Sequence, residues 1–388
     1  MRRTHPRWPV LAAALTAGLI ATSGVIASES ARDGSPERRG AAPVPAAEPA
    51  FSAADGRWQR TDVPVGRGDL TAVAALDSER VWAVGYRLIG NSVGQPVALR
   101  WDGRSWTEES RLPAGSWPQT LAVRSPDDIW AAGSGTAHWN GASWTSHAPA
   151  AEPGGGRVVP EALATGPDGA VWMAGRAVPG SVKNGVPSVQ SWNGSGWERH
   201  ALPDVGTGEL TAITVIAPDD VWAVGTSFAD GSGAQSALAL HWDGRAWKRV
   251  EAPAAPVGEH RWFGGISAAG PDGTVWAVGG RVAPDGSERP FTARWNGRGW
   301  VAVPAPRIAD GRLRAVSRDA DGTVWAAGGK GAVSVVLRWD EGERRWERGA
   351  DPGVVIRGFA AVPGADTLWT VGLSNRADLT PAATRLTG

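Results

Sequence analysis

The chain has 388 residues with 39 Lys and Arg against 39 Asp and Glu, a formal net charge of +0 and no cysteine. A balanced charge with no basic stripe offers no counterion-release drive toward nucleic acid, and the lack of cysteine removes disulfides and a lipobox anchor. The remaining bulk signal is 23 tryptophans, against one tyrosine and five phenylalanines.

In chain order, residues 1–27 read as a secretory signal. Arg2, Arg3 and Arg7 form a positive n-region, Val10 to Ala21 an apolar run, and Val25-Ile26-Ala27 a small-residue cleavage site. The run is short for a comfortable membrane span, so cleavage after Ala27 is expected and an uncleaved anchor is the alternative. Residues 28–55 are Ala/Pro-rich, with almost no large apolar side chain to offset ordering entropy, and read as a disordered linker. The expected product is a secreted monomer with no membrane partner after cleavage. The heavy use of Ala, Gly, Arg and Pro suggests a Gram-positive-type bacterial source.

From residue 56 onward one sentence repeats seven times. Its core is an apolar-Trp-small-x-Gly strand centred on Trp82, Trp130, Trp172, Trp222, Trp276, Trp325 and Trp369, spaced 48, 42, 50, 54, 49 and 44 residues apart. Six copies continue with a Trp-Asp/Asn-Gly-x-x-Trp hairpin or a close variant: Trp101 and Trp106, Trp139 and Trp144, Trp192 and Trp197, Trp242 and Trp247, Trp295 and Trp300, Trp339 and Trp346. Asp-Gly and Asn-Gly are strong hairpin signals because glycine accepts positive φ. The first repeat reads as four strands: Leu70–Leu76, Val81–Gly85, Gln95–Trp101 and Ser105–Arg111. The seventh copy lacks its last strand, and Gly56-Arg57-Trp58 at the other end of the repeat region can supply it.

A period of 40 to 50 residues with four strands each specifies an all-β fold, a seven-bladed β-propeller of four-stranded antiparallel blades. Its last blade is closed by an N-terminal strand within residues 56–64. About twenty tryptophans then fill the wedges between blades, each burying about 150–250 Å², and read as core rather than as a ligand cage.

The Gly-ended second strand followed by two aromatic positions resembles the kelch and galactose-oxidase-like β-propellers. The Asp-Gly-x-Val-Trp segments at Asp168, Asp272 and Asp321 resemble propeller repeats of bacterial sensor proteins. The alternation of Val-Trp-Ala-Val-Gly with Trp-Asp-Gly-x-x-Trp is also similar to that of secreted bacterial repeat proteins. These resemblances imply the fold and little about activity. The copper chemistry of galactose oxidase needs a Cys–Tyr crosslink, and this chain has no Cys and only Tyr86. Kelch glycine pairs occur only at Gly279-Gly280 and Gly328-Gly329. The Gly-His pair of WD repeats is missing before Trp101-Asp102, Trp242-Asp243 and Trp339-Asp340, and the Ser-x-Asp boxes of sialidases are mostly missing.

No Ser/His/Asp constellation, phosphate-cradling loop or His-Glu-x-x-His motif appears, and no catalytic residue, metal site or cofactor is assigned. His138 and His241 fill the same polar slot before a third-strand Trp, in blades two and four, and read as structural. In a propeller the short turns lie on one end of the ring; the second-to-third-strand loops and the blade connections lie on the other. Here the latter vary in length, and variable loops on a rigid frame are where binding resides. Trp117 and Trp262 lie there without being required by the repeat, with His260 nearby and Asp69, Glu161, Glu209, Arg312 and Arg357 expected around the channel mouth. An aromatic plate beside carboxylates and guanidiniums suits a glycan or an extracellular protein. Expected is therefore a secreted, non-enzymatic binding or scaffold propeller. The alternatives are a polysaccharide-acting hydrolase or lyase using Glu161 and Glu209, and a purely structural spacer.

Overall fold

Every described strand belongs to one of seven four-stranded antiparallel sheets. The structure is a computed structural model, described for residues 57–388 apart from 91, 181–184, 229–233, 269–273, 310, 332, 375–378 and 388. The signal and linker expected over residues 1–55 lie outside the described residues. Six sheets are contiguous in sequence, and their inner strands are Gly68–Ala75, Thr120–Ser125, Arg157–Thr165, Thr207–Ala217, His260–Ala268 and Leu313–Arg318. Blade 7 is composite. Val354–Ala361, Thr367–Ser374 and Pro381–Thr387 come from the C-terminal side, and Gln59–Thr61 adds the outer strand. Each inner strand packs on the next, and that of blade 7 packs on that of blade 1, so the ring is closed.

Closure is specific. Gln59, Arg60 and Thr61 pair with Arg385, Thr384 and Ala383. The Thr61 hydroxyl donates to the Ala383 carbonyl at 3.1 Å and accepts from the Trp106 indole of blade 1 at 3.0 Å. Trp58 donates to the Ala350 carbonyl of blade 6 at 3.1 Å.

The tryptophans form the interfaces. The second-strand Trp of each blade meets the third- and fourth-strand pair of the next: Trp82 with Trp139 and Trp144, Trp130 with Trp192 and Trp197, Trp222 with Trp295 and Trp300. Trp172 and Trp276 repeat the arrangement, and Trp369 of blade 7 carries it across the seam to Trp101 and Trp106 at 5.1 and 5.2 Å. Tilted and edge-on indoles at such separations add to area burial. At the seventh interface Leu386 and Trp58 stand in for the missing pair and pack with Trp325.

The histidines of the polar slot are structural, as the repeat implies. His138 stacks on Trp130 and reaches Asp128 at 3.0 Å; His241 stacks on Trp222 and reaches Asp220 at 2.9 Å. In the hairpins the Asp102, Asn140, Asn193, Asp243 and Asn296 side chains each accept backbone N–H groups two and three residues on. The sixth hairpin is longer, running from Asp340 to Arg345. The fourth strand of blade 1 is shorter than its sequence suggests, Trp106–Glu108.

One irregularity recurs. In six blades the inner-strand register slips by one residue, at Thr71, Glu161, Thr211, Gly264, Arg314 and Arg357. The residue just before each bulge faces the glycine that ends the core phrase: Gly85, Gly175, Gly225, Gly279, Gly328 and Gly372. The bulge pushes a carbonyl over that glycine, and a Cβ there would lie 1.9–2.2 Å from it. Gly133 of blade 2 meets the Trp117 carbonyl in the same way. The glycine of the repeat is thus set by the close approach of a neighbouring strand.

Candidate functional site: the bulge collar

Each inner strand enters from the blade-to-blade connection, so the bulges form a collar on the variable-loop side of the channel. Two collar positions carry the chemistry: the bulged residue and the residue two before it. A bulged side chain leans toward the next blade. The Thr71 hydroxyl lies 2.8 Å from the Pro118 carbonyl of blade 2, and the Thr211 hydroxyl 2.8 Å from the Phe263 carbonyl of blade 5. Threonine at this position stitches neighbours together; a charged residue projects a charge at the next blade instead.

The five charged residues among the eight expected at the mouth all occupy collar positions, in three local groups. Arg357, at the bulge of blade 7, reaches Asp69 of blade 1, with Nε 3.1 Å from Oδ2. The Asp69 side chain is only 4% exposed and its Oδ1 has no partner among the described residues. Burial pushes its carboxyl up to about 6, against the lowering effect of Arg357. Glu161, at the bulge of blade 3, and Glu209, two before the bulge of blade 4, both contact Nη1 of Arg176, Glu161 at 3.1 Å. Burial pushes Glu161 up to about 7; Arg176 opposes this and Glu209 adds to it. Arg312 lies 3.8 Å from Glu288, which also pairs with Lys330 at 2.8 Å.

The three other residues divide. Trp262 sits two before the bulge of blade 5, half-buried, with its indole over Gly280; a Cβ at Gly280 would lie 2.2 Å from its Cζ2. His260 accepts the Gln235 N–H at Nδ1 at 3.0 Å and so ties blade 5 to blade 4. Trp117 stands at the collar of blade 2 with φ of 32°, a left-handed conformation uncommon for a non-glycine residue.

Sequence reading missed two residues of this site. Arg176 directly follows the glycine of the core phrase, a slot occupied elsewhere by Tyr86, Thr226 and Gly280. Its variation among copies was the available signal. Arg314 is a bulged residue, and strict strand alternation does not single it out. Away from the collar, a groove of about 250 Å³ on blade 3 is lined by Pro153, Pro179, Pro187, Pro203, Arg199 and His200. Burial pulls the His200 imidazole down, and His200 stacks on Trp172. Among the described residues no cluster of His, Cys, Asp and Glu could hold a metal ion, and no helix is long and apolar enough to cross a membrane.

The shifted carboxyl of Glu161 gives a pH-dependent stability. A carboxyl raised from 4.5 to about 7 binds its proton more tightly in the folded state. It therefore favours the fold at low pH, and that advantage is lost as pH rises from about 4.5 to about 7. Asp69 acts with the same sign between 3.8 and about 6, whereas His147 and His200, pulled down by burial, act oppositely near neutrality. The test is the difference between wild type and Glu161→Gln. The variant is expected to gain thermal stability relative to wild type on going from pH 5 to pH 8; a pH-independent difference would contradict the assignment.

No protein-family model matches the chain, and no curated protein is similar enough in sequence to register. Solved structures match over most of the ring. A catalytically inactive virginiamycin B lyase from Staphylococcus aureus, with quinupristin, is 13% identical with a TM-score of 0.62, over 86% of this chain and 99% of that one. YCF48 bound to D1 peptide is 17% identical with a TM-score of 0.58, over 89% and 99%. The WD40 β-propeller domain of Doa1 is 12% identical with a TM-score of 0.55, over 85% and 96%. The chain is a seven-bladed β-propeller. These three are not kelch or galactose-oxidase proteins, and likeness at such identities carries the propeller fold alone.

Proposed function

We propose that this propeller is a secreted, non-enzymatic binding or scaffold module that holds a glycan or an extracellular protein on its variable-loop face. One observation carries the reading. The collar position that threonine uses to stitch blades 1 and 4 to their neighbours is occupied by Glu161, Arg314 and Arg357 in blades 3, 6 and 7. A repeat that replaces a neutral hydroxyl stitch with a charged side chain at selected copies, on the face with variable loops, has the form of a binding surface on a rigid frame. Two similar propellers hold a ligand in their structures, quinupristin and a D1 peptide, in keeping with this use of the architecture.

The test is a glycan array together with capture of extracellular proteins by the full chain, repeated with Arg357→Ala and Trp117→Ala on the collar and Arg104→Ala on the short-turn end. Expected is a binder lost at least tenfold on the collar variants and retained by Arg104→Ala. Equal retention by all three contradicts the reading.

A second reading has one observation in its favour. Glu161, raised to about 7, stands beside Glu209, and two carboxyls in unlike environments are the raw material of glycosidic acid–base chemistry. Against it, Arg176 bridges both, which neutralises the charge a base or nucleophile would use. Polysaccharide cleavage by wild type that Glu161→Gln abolishes would establish it.

A further inference from the structure

Among the described residues, one collar charge has no partner in contact. Bulged side chains lean toward the next blade, and what they find there differs. Glu161 of blade 3 finds Glu209 of blade 4 with Arg176 between them, and Arg357 of blade 7 finds Asp69 of blade 1. Arg314 of blade 6 faces blade 7, whose corresponding positions are Val355 and a second cation, Arg357. Arg314 has no side-chain hydrogen bond or ion pair among the described residues, and its Nε is buried without a partner. Nearby, Arg312 two residues earlier also has a buried Nε without a hydrogen-bond partner, as does Glu288 Oε1, 3.8 Å from it.

Among the described residues, Arg312, Arg314 and Arg357 gather here, with Glu288 beside Arg312 and Asp69 on Arg357. Burial, and then Arg312 and Arg357, pull the Arg314 guanidinium down to about 10, against the raising effect of the more distant Glu288, and it stays charged at neutral pH. A half-buried guanidinium without an ion pair in contact costs stability, and replacing it with an apolar residue would relieve that cost. On the adjacent inner strand, Trp262 occupies the same collar position as Arg312, half-buried.

We infer that the collar between blades 5 and 7 is an anion seat, in which Arg314, flanked by Arg312 and Arg357, receives the carboxylate of a uronic acid residue of a bound glycan while Trp262 offers its indole to the sugar ring. This rests on the binding reading above and narrows it. Guanidinium matches carboxylate in a planar, two-pronged pair, and an indole beside it matches the apolar face of a pyranose, which an acidic peptide lacks.

The experiment is isothermal titration of the full chain with oligogalacturonate, its neutral methyl ester and oligoglutamate. Alongside it, ligand-free melts compare wild type with Arg314→Met. Expected is at least tenfold tighter binding of the acid than of its ester, shrinking as salt rises, with at least tenfold loss in Arg314→Gln and a smaller loss in Arg314→Lys. Arg314→Met should melt at or above the wild-type temperature. Equal affinity for acid and ester, or no effect of Arg314→Gln, overturns the anion seat while the array and capture result of the broader reading stands. Preference for oligoglutamate overturns the glycan assignment, and no binding of any of the three overturns the inference. A lowered melting temperature in Arg314→Met makes Arg314 a structural residue and also overturns it.

Discussion

Removing residues 56–64 is expected to lower the melting temperature of the whole ring by about 6 °C and to drive self-association. The deletion takes away the strand Gln59–Thr61 and with it the outer ladder of blade 7. It orphans the Trp106 indole N–H, which donates to Thr61, and removes Trp58 from the cluster that also holds Trp325 and Leu386. Loss of a partly buried Trp costs about 3 kcal/mol, and an orphaned buried donor about 1–3 kcal/mol. A total of about 4 kcal/mol, set against an unfolding entropy of about 0.7 kcal/mol/K for a ring of this size, shifts the midpoint by roughly 6 °C. The newly bare edge of Pro381–Thr387 would present unpaired backbone groups to a second copy. Calorimetry and size-exclusion chromatography check both effects. A truncated chain that melts like wild type would mean that the ring does not depend on its seam.

Gly225→Ala is expected to be among the most damaging single substitutions in the ring. A Cβ there would lie 2.0 Å from the Glu209 carbonyl oxygen and 2.8 Å from the Leu210 Cα, both backbone atoms of the bulged inner strand. Neither can rotate away, so relief requires moving the strand or dissolving the bulge. Either would disturb Leu210, fully buried, and the Thr211 bond to blade 5. A loss of about 3 kcal/mol or more is expected, in the range reserved for backbone clashes and core disruption. Gly66→Ala is the control, since nothing lies within 4 Å of its added Cβ; its effect should stay within about 0.5 kcal/mol. Urea denaturation of the two variants reads the difference. Equal stabilities would show that the repeat glycine has another cause.

The ring was legible because its signals are redundant. Seven copies of a Trp-centred strand, five Asx-Gly hairpins with a longer sixth, and a split seventh copy all specify the same closed array, and the register of Gln59–Thr61 on Arg385–Ala383 is the seam they imply. The collar was legible only in outline. Asp69, Glu209 and Arg312 stand out as charges at inner-strand starts, and strand order alone places them on one face. Their partners depend on a bulge. A one-residue slip reverses which face a side chain occupies, so alternation cannot say that Arg357 meets Asp69 or that Arg314 contacts no acid among the described residues. The glycine of the core phrase carries that information, but its meaning emerges only when the carbonyl over it is seen. Trp262 and His260 show the opposite limit: both stand out from the repeat, yet each also has a packing task, on Gly280 and on the Gln235 N–H.

The most direct measurement is a crystal structure of the full chain grown with oligogalacturonate. The account predicts a sugar carboxylate within hydrogen-bond distance of the Arg314 guanidinium, on the variable-loop side of the ring. Ligand bound on the short-turn end, or at the collar with Arg314 untouched, would contradict it.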